Sequence, residues 1–217
     1  MFRFRFLAVA VLLAFVHQVG AQAHVTKDPV ANDGTPVQVD LPKELHMKNC
    51  GGSDGAGLCV FTSINHAAYW QNVQVLQQFQ QWMKKHPGGG YPQKVDKTIA
   101  QIAKERNMPV PDYLNLQTND LGLLRACLKS GRMPSITYSV SPTKRYGGGT
   151  IAHMVTLLAA GAGKGPDGKG WYCVLDNNFP GTYEWMSESQ FMQSYAHGGT
   201  GWTVVLLRPV PPPVPVN

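Results

Sequence analysis

The stretch CGGSDGAGLCVFTSINHAAYW, Cys50 to Trp70, decides how the rest of the chain is read. Its first half is a glycine-rich loop holding Gly51, Gly52, Gly55 and Gly57. From Cys59 onward the apolar residues Phe61, Ile64, Ala67 and Ala68 recur at helical spacing. The loop therefore delivers Cys59 to the first turn of a helix, where unpaired backbone N–H groups and the positive dipole end favour an anionic sulfur. The glycines permit the close backbone approach that a substrate carbonyl needs at an oxyanion site. Two readings of Cys59 stand side by side: a nucleophile, and a buried core thiol or disulfide half.

Outward from this stretch, composition sets the class. The 217 residues suit one domain, with room for two lobes. Residues 1–23 read as a secretory signal: Arg3 and Arg5 start it, Leu7 to Val16 form its apolar middle, and Ala21-Gln22-Ala23 offers small residues for cleavage near His24. The apolar run is too short to span a bilayer, so the expectation is a secreted or periplasmic chain without stable membrane insertion. Two of the 19 basic residues fall in that leader, leaving 17 against 13 acidic ones, a net charge of about +4. They are scattered, with no basic and aromatic stripe, which excludes a nucleic-acid partner. Four cysteines remain, and no spacing among them or the histidines suits a metal, so neither a metal nor a cofactor is expected. With Cys59 free, an oxidising compartment allows at most one disulfide among Cys50, Cys127 and Cys173.

Residues 24–48 are polar and proline-broken and read as an irregular arm before a domain over 49–208. The helix from Cys59 continues or restarts through Val73, Leu76, Phe79 and Met83 and stops at Pro87 and Gly88-Gly89-Gly90. A second helix carries Val95, Ile99, Ile102 and Ala103 on one face, and Pro109 and Pro111 then force an extended loop. Leu121 to Leu128 mark a third helix, capped by Asn119 or Asp120 and ended by Gly131. After Gly131 the period changes to β: strands at 135–140, 151–160, 171–175 and 202–207, with a hairpin loop over 161–170 and a mobile-looking turn at 144–149. Ser187 and Gln190 form a capping box for a short helix through Phe191. The tail PVPPPVPVN, 209–217, is polyproline-like and reads as disordered. Helices first and strands afterwards predict an α+β fold with segregated lobes.

A catalytic thiol needs a base, and the base needs a partner that orients it. His66 lies two turns along the same helix as Cys59, too far to touch its sulfur. His153 opens an apolar strand just after Gly147-Gly148-Gly149, where it is either a backbone-bonded core histidine or the base. The strand that should pair with it ends in Asp176-Asn177-Asn178, where an amide or carboxylate could fix the imidazole tautomer, or where turn chemistry simply follows a strand. Alternation of faces lets only one of Asp176 and Asn177 meet His153. If Cys173 and Leu175 face the site, Asn177 continues their face, and Asp176 is the runner-up.

The segments Cys59-Val60-Phe61-Thr62-Ser63, Gly88-Gly89-Gly90-Tyr91-Pro92, His153-Met154-Val155 and Tyr172 to Asn177 with Phe179 and Gly181 resemble, in this order, the motifs of the papain-like cysteine peptidases. The likeness covers most of 50–207. It implies a two-lobed fold with an N-terminal helical lobe, a C-terminal antiparallel β lobe and a cleft between them, acting as a monomer on peptide or protein substrates. It implies amide hydrolysis through a thioester, with Cys59 as nucleophile, His153 as base, Asn177 as orienting group and Gly89, Gly90 and Tyr91 binding substrate. Ser53 and Asp54 stand where that family has its oxyanion glutamine, which leaves Asn49 or the Cys59 N–H for the role. A catalytically silent papain-like domain that binds peptide or cell-wall material is the alternative.

Overall fold

A computed structural model describes residues 22–208, so the leader up to residue 21 and the tail from 209 lie outside the described residues. The framework is one antiparallel sheet of seven strands: β1 (His24–Thr26), β2 (Tyr113–Gln117), β3 (Ser135–Tyr138), β4 (His153–Ala162), β5 (Trp171–Leu175), β6 (Tyr183–Met186) and β7 (Trp202–Leu206). Their order across the sheet is β1-β6-β5-β4-β3-β7-β2. The helices are α1 (Cys59–Trp70), α2 (Phe79–Met83), α3 (Pro92–Glu105), α4 (Leu121–Lys129) and α5 (Glu188–Tyr195). The fold is thus α+β.

The central strands β4 and β5 are buried along almost their whole length, which is why they read as continuous apolar runs. Helix α1 packs across β4, β3 and β7, burying Phe61, Ile64, Ala67 and Ala68. Polar bonds fix it there: Ser63 Oγ donates to Met154 O at 3.1 Å, and His66 Nδ1 bonds Thr156 Oγ1 at 3.2 Å. On the opposite face Tyr172 stacks on Phe191 of α5 at 4.6 Å. The capping box on Ser187 and Gln190 is present, and Asp120 caps α4 through the N–H groups of Gly122 and Leu123.

Three strands add to the sequence expectation. The arm is not wholly irregular: β1 pairs with β6, His24 opposite Trp185, and Val39 and Leu41 are buried. Strand β2 lies directly after Pro109 and Pro111 and closes the other sheet edge against β7. Strand β6 hides a charge, Glu184, in a four-residue run. The N-terminal half therefore supplies both edge strands, and helices-then-strands holds only for α1–α3 followed by β3–β7. Left-handed residues Asn72 (φ 51°) and Gln78 (φ 58°) break the first helical stretch, so it restarts as α2. Among the described residues no helix is long and apolar enough to cross a membrane.

Candidate active site

The glycine-rich loop closes on itself before α1 begins. Gly51 bridges Gly57, Gly52 N–H donates to Ala56 O at 2.9 Å, and Leu58 N–H donates to Cys50 O at 2.8 Å. No side chain caps the helix at Leu58, so the first-turn N–H groups stay open around Cys59. The strap at 88–90 lies directly on this loop. A Cβ on Gly88 would sit 1.8 Å from Ala56 O, and one on Gly90 would sit 2.5 Å from Val60 Cγ2. Glycine is needed at both positions for that approach. Asp54 Oδ1 accepts from Gly88 N–H at 2.6 Å, and Gly89 N–H donates to Gly57 O at 2.9 Å.

His153 comes from the first residue of β4, where the end of the sheet meets the start of α1. Its Nε2 donates to Asp176 Oδ1 at 2.8 Å. That leaves Nδ1 as the ring nitrogen available to Cys59, which lines the same cleft as His153. Burial pushes the Cys59 thiol up, but the neighbouring His153 imidazole, with the N–H groups of Met154 and Val60, outweighs it and holds the thiol below its ordinary value. Burial likewise opposes the imidazolium, yet Asp176 and then Cys59 carry His153 up to about 9. Asp176 sits in the same balance: burial raises it, and His153, Tyr146 and the Asn178 N–H bring it below the usual carboxylate range. These shifts all favour thiolate, imidazolium and carboxylate standing in a row.

The third position goes to Asp176, not to Asn177. Register gives the reason: Leu157 pairs with Val174 and Thr156 with Leu175, so Asp176 continues the face of Val174, which is also the face of Val155 and His153. Cys173, Leu175 and Asn177 point instead toward α1. There Asn177 Nδ2 donates to Cys59 O at 3.1 Å, Ser63 Oγ at 2.9 Å and Met154 O at 2.9 Å. Asn177 is therefore a clamp between α1 and β4. Alternation was the right rule, applied to the wrong face.

The site lines a cleft of about 780 Å³, which also takes in Asn49, Val60, Gly89, Gly90, Tyr146 and Trp202. No family model matches the chain, and no curated protein matches it. Gly89 and Gly90 form part of the wall as expected, whereas Tyr91 stands outside it, 57% exposed at the start of α3. Asn49 borders the cleft, its N–H donating to Asn177 O at 2.7 Å and its Nδ2 to Asn178 Oδ1 at 3.1 Å. Cys50, Cys59, Cys127 and Cys173 are all free thiols, so the pair allowed by the sequence does not form. Burial raises the thiols of Cys127 and Cys173, the opposite direction to Cys59.

Two residues reach the site without having been singled out from sequence. Tyr146 comes from the turn that looked merely mobile, and Asn178 follows the two strand-end candidates. An aromatic ring just before three glycines, unpaired with any apolar pattern, was the available sign for Tyr146. Chemically, a thiolate at a helix start, an imidazole with one nitrogen on it and a carboxylate on the other can perform nucleophilic attack followed by proton delivery.

Proposed function

We propose that the chain is an exported cysteine hydrolase that cleaves peptide bonds, built on a papain-like plan. In that reading the start of α1 and the 88–90 strap form one wall of the cleft and the sheet forms the other. The observation that carries it is the 2.8 Å bond from His153 Nε2 to Asp176, with the other ring nitrogen left for a thiol at a helix N-terminus. A silent binding domain has no use for a thiol held acidic by such a pair.

The steps follow from the atoms. The Cys59 thiolate attacks the carbonyl carbon of the scissile amide, and the carbonyl oxygen takes the negative charge. The Cys59 N–H and the Asn49 amide, whose Nδ2 keeps one hydrogen beyond the Asn178 bond, stabilise that oxygen. The His153 imidazolium gives its proton to the departing amine, and the C–N bond breaks to leave a thioester on Cys59. A water then loses a proton to His153 and attacks the thioester, whose collapse releases the carboxylic acid, expels the Cys59 thiolate and so restores the starting thiolate and imidazolium. Asp176 keeps Nε2 protonated throughout, so Nδ1 is the nitrogen that works. Gly89 and Gly90 leave one wall without side chains, which suits an extended peptide backbone.

A library of fluorogenic peptides tests the proposal. Hydrolysis by the mature chain and its loss in Cys59→Ala is the expected result. Binding without cleavage across the library would contradict it and leave the silent domain.

A further inference from the structure

We infer that Tyr146 is a positioning residue of the Cys59–His153–Asp176 site: its hydroxyl fixes the Asp176 carboxylate, and the buried carboxylate of Glu184 holds the loop that presents it. The inference rests on the hydrolase reading for what the site does.

Asp176 is fully buried, so each of its oxygens needs a donor. Oδ1 accepts from His153 Nε2 and from Asn178 N–H, both at 2.8 Å. Oδ2 accepts from Tyr146 Oη at 2.6 Å. A carboxylate bonded through one oxygen can still rotate about its Cβ–Cγ axis, and a donor on the second oxygen stops that rotation. The phenol accepts in turn from Asn178 Nδ2 at 3.0 Å, and Asn178 Oδ1 accepts from Asn49 Nδ2 at 3.1 Å. One run of bonds thus joins the base to the oxyanion donor, and the phenol is the link that comes from outside the strand end. The Tyr146 ring also stands edge-on to His153, with centroids 5.9 Å apart.

The loop is held by buried polar groups before Tyr146 and turns through exposed glycines after it. Glu184 is fully buried and accepts from Tyr138 Oη at 2.5 Å, Ser141 Oγ at 2.7 Å and Thr143 N–H at 3.2 Å. Ser141 Oγ accepts from Arg145 N–H at 3.1 Å, and the Arg145 guanidinium lies 3.8 Å from Glu184 and over the Phe179 ring. Beyond Tyr146 come Gly147 and Gly148, exposed and with φ of 70° and 83°. The loop that presents the hydroxyl is thus anchored before Tyr146 by the buried Glu184 carboxylate and regains the sheet after the glycines, where Ile151 N–H donates to Ser139 O at 2.8 Å.

Tyr146→Phe keeps the ring and removes the bond, and two effects of that change have opposite signs. Loss of position lets Asp176 drift from His153, weakens the imidazolium and raises the thiol pKa. Loss of a donor alone leaves a more basic Asp176, strengthens the imidazolium and lowers the thiol pKa. The rate of Cys59 alkylation by iodoacetamide, followed from pH 4 to 10 in the mature chain, separates them. The expected result is an acid limb moved up by about one pH unit, which is about tenfold slower labelling there, in a chain that still unfolds cooperatively. An unmoved limb, or one moved down, overturns the inference. Asp176→Asn supplies the second arm: adding Tyr146→Phe to it should move the limb no further, and an additive shift overturns a role exerted through Asp176. Labelling needs no substrate, so a wild-type chain that labels in this way yet cleaves no peptide counts against the hydrolase reading and not against Tyr146.

Discussion

His153 Nε2 donates to Asp176 Oδ1 at 2.8 Å, while the adjacent Asn177 turns to the other face of the strand and holds the carbonyl of Cys59. Neighbours in sequence thus do different work, and single substitutions should separate them. Asp176→Ala is expected to slow Cys59 labelling at pH 6 by about tenfold or more, the scale of ~1.4 kcal/mol for one lost orienting bond. Asn177→Ala orphans buried acceptors instead and should cost about 2 kcal/mol of stability, with labelling changed by less than about threefold. Chemical denaturation and alkylation of both variants check this.

Activity should follow a bell in pH. The thiol lies below its ordinary value and His153 is raised to about 9, so thiolate and imidazolium coexist between the two. Amide cleavage needs the imidazolium proton for the leaving amine, so kcat/KM should fall as pH rises through about 9 and as it drops below the thiol limb. Stability carries the same sign. A histidine whose folded value exceeds its unfolded 6.5 stabilises the fold fully below that pH and loses the contribution as pH rises through about 9.

His66 titrates the other way. It is fully buried, and burial, helped by His46, lowers it to about 3. Neutral, it accepts from Met47 N–H at 2.9 Å and bonds Thr156 Oγ1 at 3.2 Å. Its contribution is complete above 6.5 and declines as pH falls from there toward 3. His66→Gln can still accept and donate but cannot charge, so the loss of stability between pH 6 and 4 should be shallower than in the wild type. Denaturation midpoints over that range measure it.

The cleft wall is set by one contact. A methyl on Gly90 would meet Val60 Cγ2 at 2.5 Å, so Gly90→Ala must push the strap away from α1. Peptide hydrolysis is expected to fall by about tenfold, mainly through KM, because wall contacts act in ground and transition states alike. Val60→Ala removes the two methyls but keeps Cβ, which would still lie 2.7 Å from the new methyl, so the double variant should recover only part of the loss.

The sequence revealed the parts of this site whose signals are local. Cys59 follows a glycine loop into α1, and His153 opens the apolar strand β4, so both stand at element starts that local patterning marks. Asp176 against Asn177 was not legible, because strand alternation says that the two differ but only the pairing of Val174 with Leu157 says which faces His153. Strand β2 was masked by Pro109 and Pro111, which end just before it. Strand β6 was masked by Glu184, whose partners Tyr138, Ser141 and Thr143 lie some forty residues away. Sequence separation also hid Tyr146, since its value comes from the Asp176 carboxylate thirty residues away, just past the end of β5.

Capture of the covalent intermediate tests the central claim most directly. The mature chain would be mixed with a cleaved peptide, or its activated ester, quenched in acid within milliseconds, digested and mapped by mass spectrometry. An acyl adduct on Cys59 is expected, forming no more slowly than product appears and absent from Cys59→Ala. Undiminished cleavage in Cys59→Ala, or an acyl group found on another residue, would contradict a thiol mechanism at this site.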